Sequence, residues 1–138
     1  MQVDFDSIQP ETIEHFKGGE GSVTAQAYVD GNNRIMRATV HPHSSIGWHQ
    51  HSGNSEIVYV MSGVGKVVVE GGEEPLAPGI CHYCAEGQFH SVVNPNEEDL
   101  VVFGCGSSAR LSVASGAIWN ALLICDIRAL PSKARLTR

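Results

Sequence analysis

The amino-acid sequence predicts an all-β domain, a small barrel or sandwich. Three observations carry this. Short strand-like runs rich in Val, Ile and Tyr recur at close, regular spacing. Glycine makes up 15 of the 138 residues, above the usual ~7%, and most of it falls between those runs. The length suits one domain with a hydrophobic core of its own, spanning residues 1–138.

The elements follow in order. Residues 7–16 are rich in Glu and predict a short helix, broken by Gly18, Gly19 and Gly21. Residues 23–29 form the first strand-like run. Asp30-Gly31-Asn32-Asn33 after it is a strong hairpin signal. Residues 35–41 come next, ended by Pro42 and Ser44-Ser45. Runs at 48–51, 57–61, 66–70, 81–84, 91–94 and 100–103 follow. Turn compositions separate them, among them Ser62-Gly63-Val64-Gly65, Gly71-Gly72-Glu73-Glu74-Pro75 and Glu86-Gly87. After Phe103 the texture changes. Residues 117–130 place Ile118, Leu122, Cys125 and Ala129 at helical spacing, with Pro131 as a stop. This predicts a C-terminal helix packed on the barrel or on a partner subunit, then a basic tail.

Composition excludes several classes of function. The net charge of −6 leaves no overall basic surface for nucleic acid. The charge is uneven: residues 1–99 carry 14 acids and 4 bases, residues 100–138 carry 1 acid and 5 bases. The plain reading of the basic end is an exposed segment against an acidic body. No run of about 18 apolar residues is present, so no membrane span is expected. The first residues lack the basic and apolar regions of a signal peptide, and the expected location is cytoplasmic. Cys81-His82-Tyr83-Cys84 has redox or zinc spacing. In a strand, however, residues three apart face opposite sides and lie roughly 10 Å apart, beyond the ~7 Å reach of a disulfide. Reduced thiols are therefore expected.

The chemistry-bearing feature is His49-Gln50-His51, followed by Glu56 and, far downstream, His90. Three imidazoles and a carboxylate suit a borderline divalent transition metal. Residues i and i+2 of a strand share a face, so His49 and His51 project together. The turn at Ser52-Gly53-Asn54-Ser55 predicts a hairpin that returns Glu56 beside them. Two histidines alone would fit ordinary polar side chains equally well; four ligand types at these spacings favour a metal. No phosphate-binding loop, dinucleotide fingerprint or nucleophile elbow competes.

This stretch resembles the two sequence motifs of the cupin superfamily. The first runs Gly, five residues, His-x-His, three or four residues, Glu, six residues, Gly; His49, His51, Glu56 and Gly63 match it. The second runs Gly, five residues, Pro-x-Gly, two residues, His, three residues, Asn; Gly79, Gly87, His90 and Asn94 match it. The resemblance covers about residues 34–104. Two positions depart: His43 replaces the opening glycine and Ala85 replaces the proline. Histidine tolerates the left-handed backbone a turn requires, and neither change removes a ligand.

The resemblance implies a jelly-roll β-barrel and one divalent ion (Mn, Fe, Ni, Co or Zn) on His49, His51, Glu56 and His90. It implies about two coordination positions for water, substrate or dioxygen. It also implies a small-molecule partner and a homodimer. Val58, Val60 and Val92 share the ligand face and should line an apolar pocket. His41 and His43 are read as turn or strand-end side chains. His82 and Cys84 stand where the family usually has apolar core residues, and Cys84 is read as a small buried residue. Trp48 and Tyr59 should point away from the ligands, and Asn94 should fix the turn before Pro95. The leading expectation is a metal-dependent enzyme of isomerase, dioxygenase or lyase type acting on a small organic substrate. The alternative is a non-catalytic module that uses the metal to grip a sugar or carboxylate. The fold does not choose between them.

Overall fold

The computed structural model describes residues 1–107. The expected helix over 117–130, the basic tail and Cys125 lie outside the described residues. Among the described residues, ten strands form two antiparallel sheets. They are β1 (Glu11–Glu14), β2 (Ser22–Val29), β3 (Asn33–Val40), β4 (Ser44–Gln50), β5 (Ser55–Ser62), β6 (Gly65–Val69), β7 (Gly72–Leu76), β8 (Cys81–Cys84), β9 (Phe89–Asn94) and β10 (Leu100–Ser107). One sheet has the order β1-β2-β3-β10-β5-β8, the other β4-β9-β6-β7. No described helix is long and apolar enough to cross a membrane.

Period-two alternation builds the core. On β3, Arg34, Met36, Ala38 and Val40 are inside. On β5, Glu56, Val58 and Val60 are inside while Ile57, Tyr59 and Met61 face out. Val92, Leu100 and Val102 join Val58 and Val60 in one buried cluster. Strand β10 lies between β3 and β5, and its Gly106 is the register partner of both Arg34 and Glu56. Gly106 is buried and brings no side chain of its own to that register position.

The expected hairpin at residues 30–33 is present. Asp30 Oδ1 accepts bonds from the backbone N–H groups of Asn32 and Asn33, both at 2.8 Å. Three expectations need correction. Residues 7–16 do not form a helix: a 3₁₀ turn at Phe5–Ser7 leads to β1, and a second turn covers Phe16–Gly18. Pro10 disfavours helix at the residue before it, and β1 gains a full ladder against β2. The turn read at residues 71–75 is mostly strand β7. It is an edge strand paired only with β6, where Pro75 costs little, and Gly71 takes the positive φ of the tight turn. Finally, β4 and β5 are not a hairpin. They belong to different sheets, so residues 51–54 carry the chain across the sandwich.

Candidate metal centre

Each of the four motif residues is held by its backbone surroundings. His49 on β4 is the register partner of His90 on β9. A bulge between Ile46 and His49 bends β4 at Gly47-Trp48. Gly47 is required there because a Cβ would collide with the carbonyl of Lys17 and the N–H of Gly19. His51 lies just beyond β4. Its N–H donates to Gln88 O at 3.0 Å and its carbonyl accepts from Gly87 N–H at 2.6 Å. The Gln50 amide also donates to Gly87 O, at 2.9 Å. The β8–β9 turn, with Gly87 at φ +87°, thus clamps the His-x-His segment. Glu56 reaches the histidines from the opposite sheet.

The four side chains converge. His51 Nε2 lies 2.9 Å from His90 Nε2, which lies 3.2 Å from His49 Nε2. Glu56 Oε2 is 3.3 Å from both His51 Nε2 and His90 Nε2. All four residues are buried. Donors about 2.0–2.2 Å from a common ion sit roughly 3.0–3.4 Å from one another, so this donor set fits a single transition-metal ion. His49 Nδ1 lies 2.7 Å from Gly47 O. A carbonyl only accepts, so the proton is on Nδ1 and the Nε2 lone pair faces the cluster. Burial lowers the His90 pKa, opposed by its bond to Glu56. A neutral imidazole is the ligating form.

Two further residues belong to the site and were not anticipated. Arg34 Nη2 binds Glu56 Oε1 at 2.6 Å, with both side chains buried. Burial alone would raise the Glu56 pKa. The bonds that His51 and His90 give when their rings are protonated, and the Arg34 charge, outweigh it and hold the carboxyl well below its usual range. Arg34 occupies Oε1, leaving Oε2 directed at the histidines. The clue in the sequence was alternation: Arg34 shares the parity of Met36, Ala38 and Val40. The second residue is His82, buried on β8, whose Nε2 is 3.1 Å from His90 Nδ1.

The remaining candidates take structural roles. His41 bridges Thr24 and Asp99. His43 is exposed, pairs with Glu97 and sits at φ +54°, the left-handed turn that histidine tolerates. Trp48 stacks on Phe89, and both Trp48 and Tyr59 are outward-facing. Asn94 is buried and donates to Val40 O, His41 O and Glu98 O, fixing the turn as expected. Cys81 is exposed and Cys84 buried, with no disulfide between them. Cys84 Sγ lies within 4.8 Å of ring nitrogens of His82 and His90.

Comparison with known proteins agrees with this fold. The chain is 31% identical over 106 residues to an oxalate-binding protein of Thermotoga maritima, covering 72% of this chain and 88% of that one. Among solved structures, one described as a predicted oxalate decarboxylase of Thermotoga maritima superposes with a TM-score of 0.74 at 28% identity. The match covers 78% of this chain and 99% of that one. KdgF from Halomonas sp. shares the fold, with a TM-score of 0.67 at 20% identity over 80% of this chain and 96% of that one. Residues 36–105 match the family described as "Cupin domain". The jelly-roll sandwich, both motifs and this match together place the chain in the cupin superfamily.

Proposed function

We propose that His49, His51, Glu56 and His90 hold one divalent transition-metal ion, of the series Mn, Fe, Co, Ni and Zn. We propose further that the chain uses it to bind a small dicarboxylate of the oxalate type. The observation that carries the first part is the spacing of four buried donor atoms at 2.9–3.3 Å. Charge supports the second part. Neutral imidazoles contribute nothing, and Arg34 cancels Glu56. The protein part of the site is thus neutral, and a divalent ion leaves two uncompensated positive charges in a buried place. A dianion matches that better than a neutral sugar. The oxalate-binding relative at 31% identity points to the same ligand class. When bound, the ion supplies a Lewis-acid centre for carboxylate oxygens.

Calorimetric titration of oxalate into metal-loaded and metal-free protein tests this. The expected result is saturable one-to-one binding that requires metal, with acetate and neutral sugars binding more weakly. Equal binding without metal, or none with any ion of the series, contradicts it.

A second reading, a metal-dependent enzyme, draws on the neighbour described as a predicted oxalate decarboxylase. Arg34 and His82 each contact a residue of the ligand set and Cys84 Sγ is directed at Gln88 O, which favours binding over catalysis. Release of carbon dioxide or uptake of oxygen from loaded protein with oxalate would establish turnover and reverse that preference.

We also propose a homodimer. Ile57, Tyr59 and Met61 on the outer face of β5 are exposed, as are Tyr83 and Ile80 beside them. Ile57 and Tyr83 are register partners at the β8 edge of the sheet, so the patch is continuous. Burying it against a second copy would cover both the patch and the β8 edge, which pairs only with β5 among the described residues. A Tyr59→Glu/Tyr83→Glu variant should be monomeric by light scattering where the unaltered protein is dimeric; a monomeric unaltered protein refutes the dimer.

A further inference from the structure

His90 contributes Nε2 to the ligand set, and its other nitrogen is not idle. His90 Nδ1 lies 3.1 Å from His82 Nε2. The rings are inclined by only 26° with centroids 5.2 Å apart. The contacting nitrogens are much closer than the centroids, so the rings meet edge to edge, as a hydrogen bond requires. The far nitrogen of His82, Nδ1, lies 3.5 Å from Glu74 Oε2 on β7. Strand β7 was read as a turn in the sequence, so nothing in the sequence pattern joined Glu74 to the site.

The direction of the chain follows from what each group can do. A carboxylate only accepts, so Glu74 favours the His82 proton on Nδ1. His82 Nε2 then accepts. His90 must donate to it from Nδ1, which leaves the His90 Nε2 lone pair aimed at His49, His51 and Glu56. We propose that His82 is a positioning residue that sets the tautomer and ring orientation of His90, with Glu74 fixing the polarity of the relay from the protein surface. The proposal rests on the metal reading above, and it assigns a role to a buried histidine outside the two motifs' ligand positions. It also completes a symmetry of support. Gly47 O orients His49, Arg34 orients Glu56 and His82 orients His90. Such supporting partners are worth roughly 10–100-fold in metal affinity when removed.

The geometry also bears on a rival arrangement, in which His82, Cys84 and His90 bind an ion of their own. An edge-to-edge bond between the two imidazoles places a proton where that ion would sit. The Cys84 thiol is directed at Gln88 O, 3.6 Å away.

Long-range proton–nitrogen NMR on metal-free protein reads the tautomers directly. The expected spectrum has His90 and His82 both protonated at Nδ1. A proton on His82 Nε2, with His90 Nδ1 bare, overturns the proposal. Zinc affinity, by competition with a chromophoric chelator, is the second readout. His82→Leu should lose roughly 10–100-fold, while His82→Gln, whose amide oxygen still accepts, should recover most of the loss. Glu74→Ala should fall between, since Glu74 is exposed and its contact is screened. A folded His82→Leu protein with unchanged tautomer and zinc affinity overturns the proposal. So does a stoichiometry of two ions in the unaltered protein that falls to one in His82→Leu. If the unaltered protein binds no zinc, the metal reading fails, while the tautomer spectrum still decides the hydrogen-bond relay.

Discussion

Replacing Arg34 with Met separates the electrostatic role of this side chain from its bulk. Arg34 and Glu56 touch at 2.6 Å, with side-chain exposures of 10% and 7%. Removing one partner of such a pair leaves an uncompensated buried charge, at a cost of about 3–5 kcal/mol. For a chain of this size that is roughly 10–20 °C in Tm. The loss should depend on metal. Without an ion, Glu56 keeps its contact with His51 Nε2 at 3.3 Å. With an ion, a positive charge faces Oε2, and the penalty should shrink by at least half. Chemical unfolding of Arg34→Met with chelator and with saturating zinc measures both values. The double variant Arg34→Met/Glu56→Gln carries no buried charge and should recover to within about 1 kcal/mol of the unaltered protein in chelator. A loss below about 0.5 kcal/mol in the chelated single variant, or an equal loss with and without zinc, would refute the electrostatic reasoning.

Other outcomes follow from the same geometry. Gly106→Leu should disrupt the Arg34–Glu56 pair by inserting a side chain between its register partners. Gly106→Ala should be tolerated, since its Cβ would meet Asn54 Nδ2 at an ordinary 3.6 Å; circular dichroism melts compare the two. Acid should destabilise the metal-free protein in two stages. The His82 and His90 pKa values are lowered, first by burial. Their contribution is complete above the unfolded value near 6.5 and is lost as pH falls below it. Glu56, held well below 4.5, loses its contribution only as pH falls from about 4.5 toward its folded value. Urea unfolding between pH 8 and 3 reads both stages, and a flat profile from pH 7 to 5 would contradict the first. In native protein, alkylation mapped by mass spectrometry should modify exposed Cys81 well before buried Cys84; equal rates would contradict the assigned strand faces.

Much of the site was legible because strand alternation and fixed spacing act locally. His49 and His51 share a face by parity, and the turn at 86–87 delivers His90 opposite His49. The core valines and the outward Trp48 and Tyr59 obey the same rule. What was not legible depends on which strands become neighbours. Glu56 arrives from the opposite sheet, not by a hairpin, and only the barrel topology brings it to the histidines. Arg34 is separated from Glu56 by 22 residues, and a third strand, β10, lies between their strands in the sheet. Strand β7 was hidden because Gly, Glu and Pro read as a turn, yet an edge strand accommodates all three. With β7 missed, Glu74 and the relay through His82 were missed too. The segment 7–16 failed for a related reason: its Glu content favours helix weakly, and a tertiary ladder with β2 overrode that preference.

The central claim is that one ion sits on His49, His51, Glu56 and His90. Elemental analysis of purified, zinc-reconstituted protein beside the His49→Ala/His51→Ala variant tests it most directly. One ion per chain is expected in the former and none in the variant, which should keep its β-rich circular dichroism spectrum. Full occupancy in that variant, or no stoichiometric metal in the unaltered protein, would contradict it.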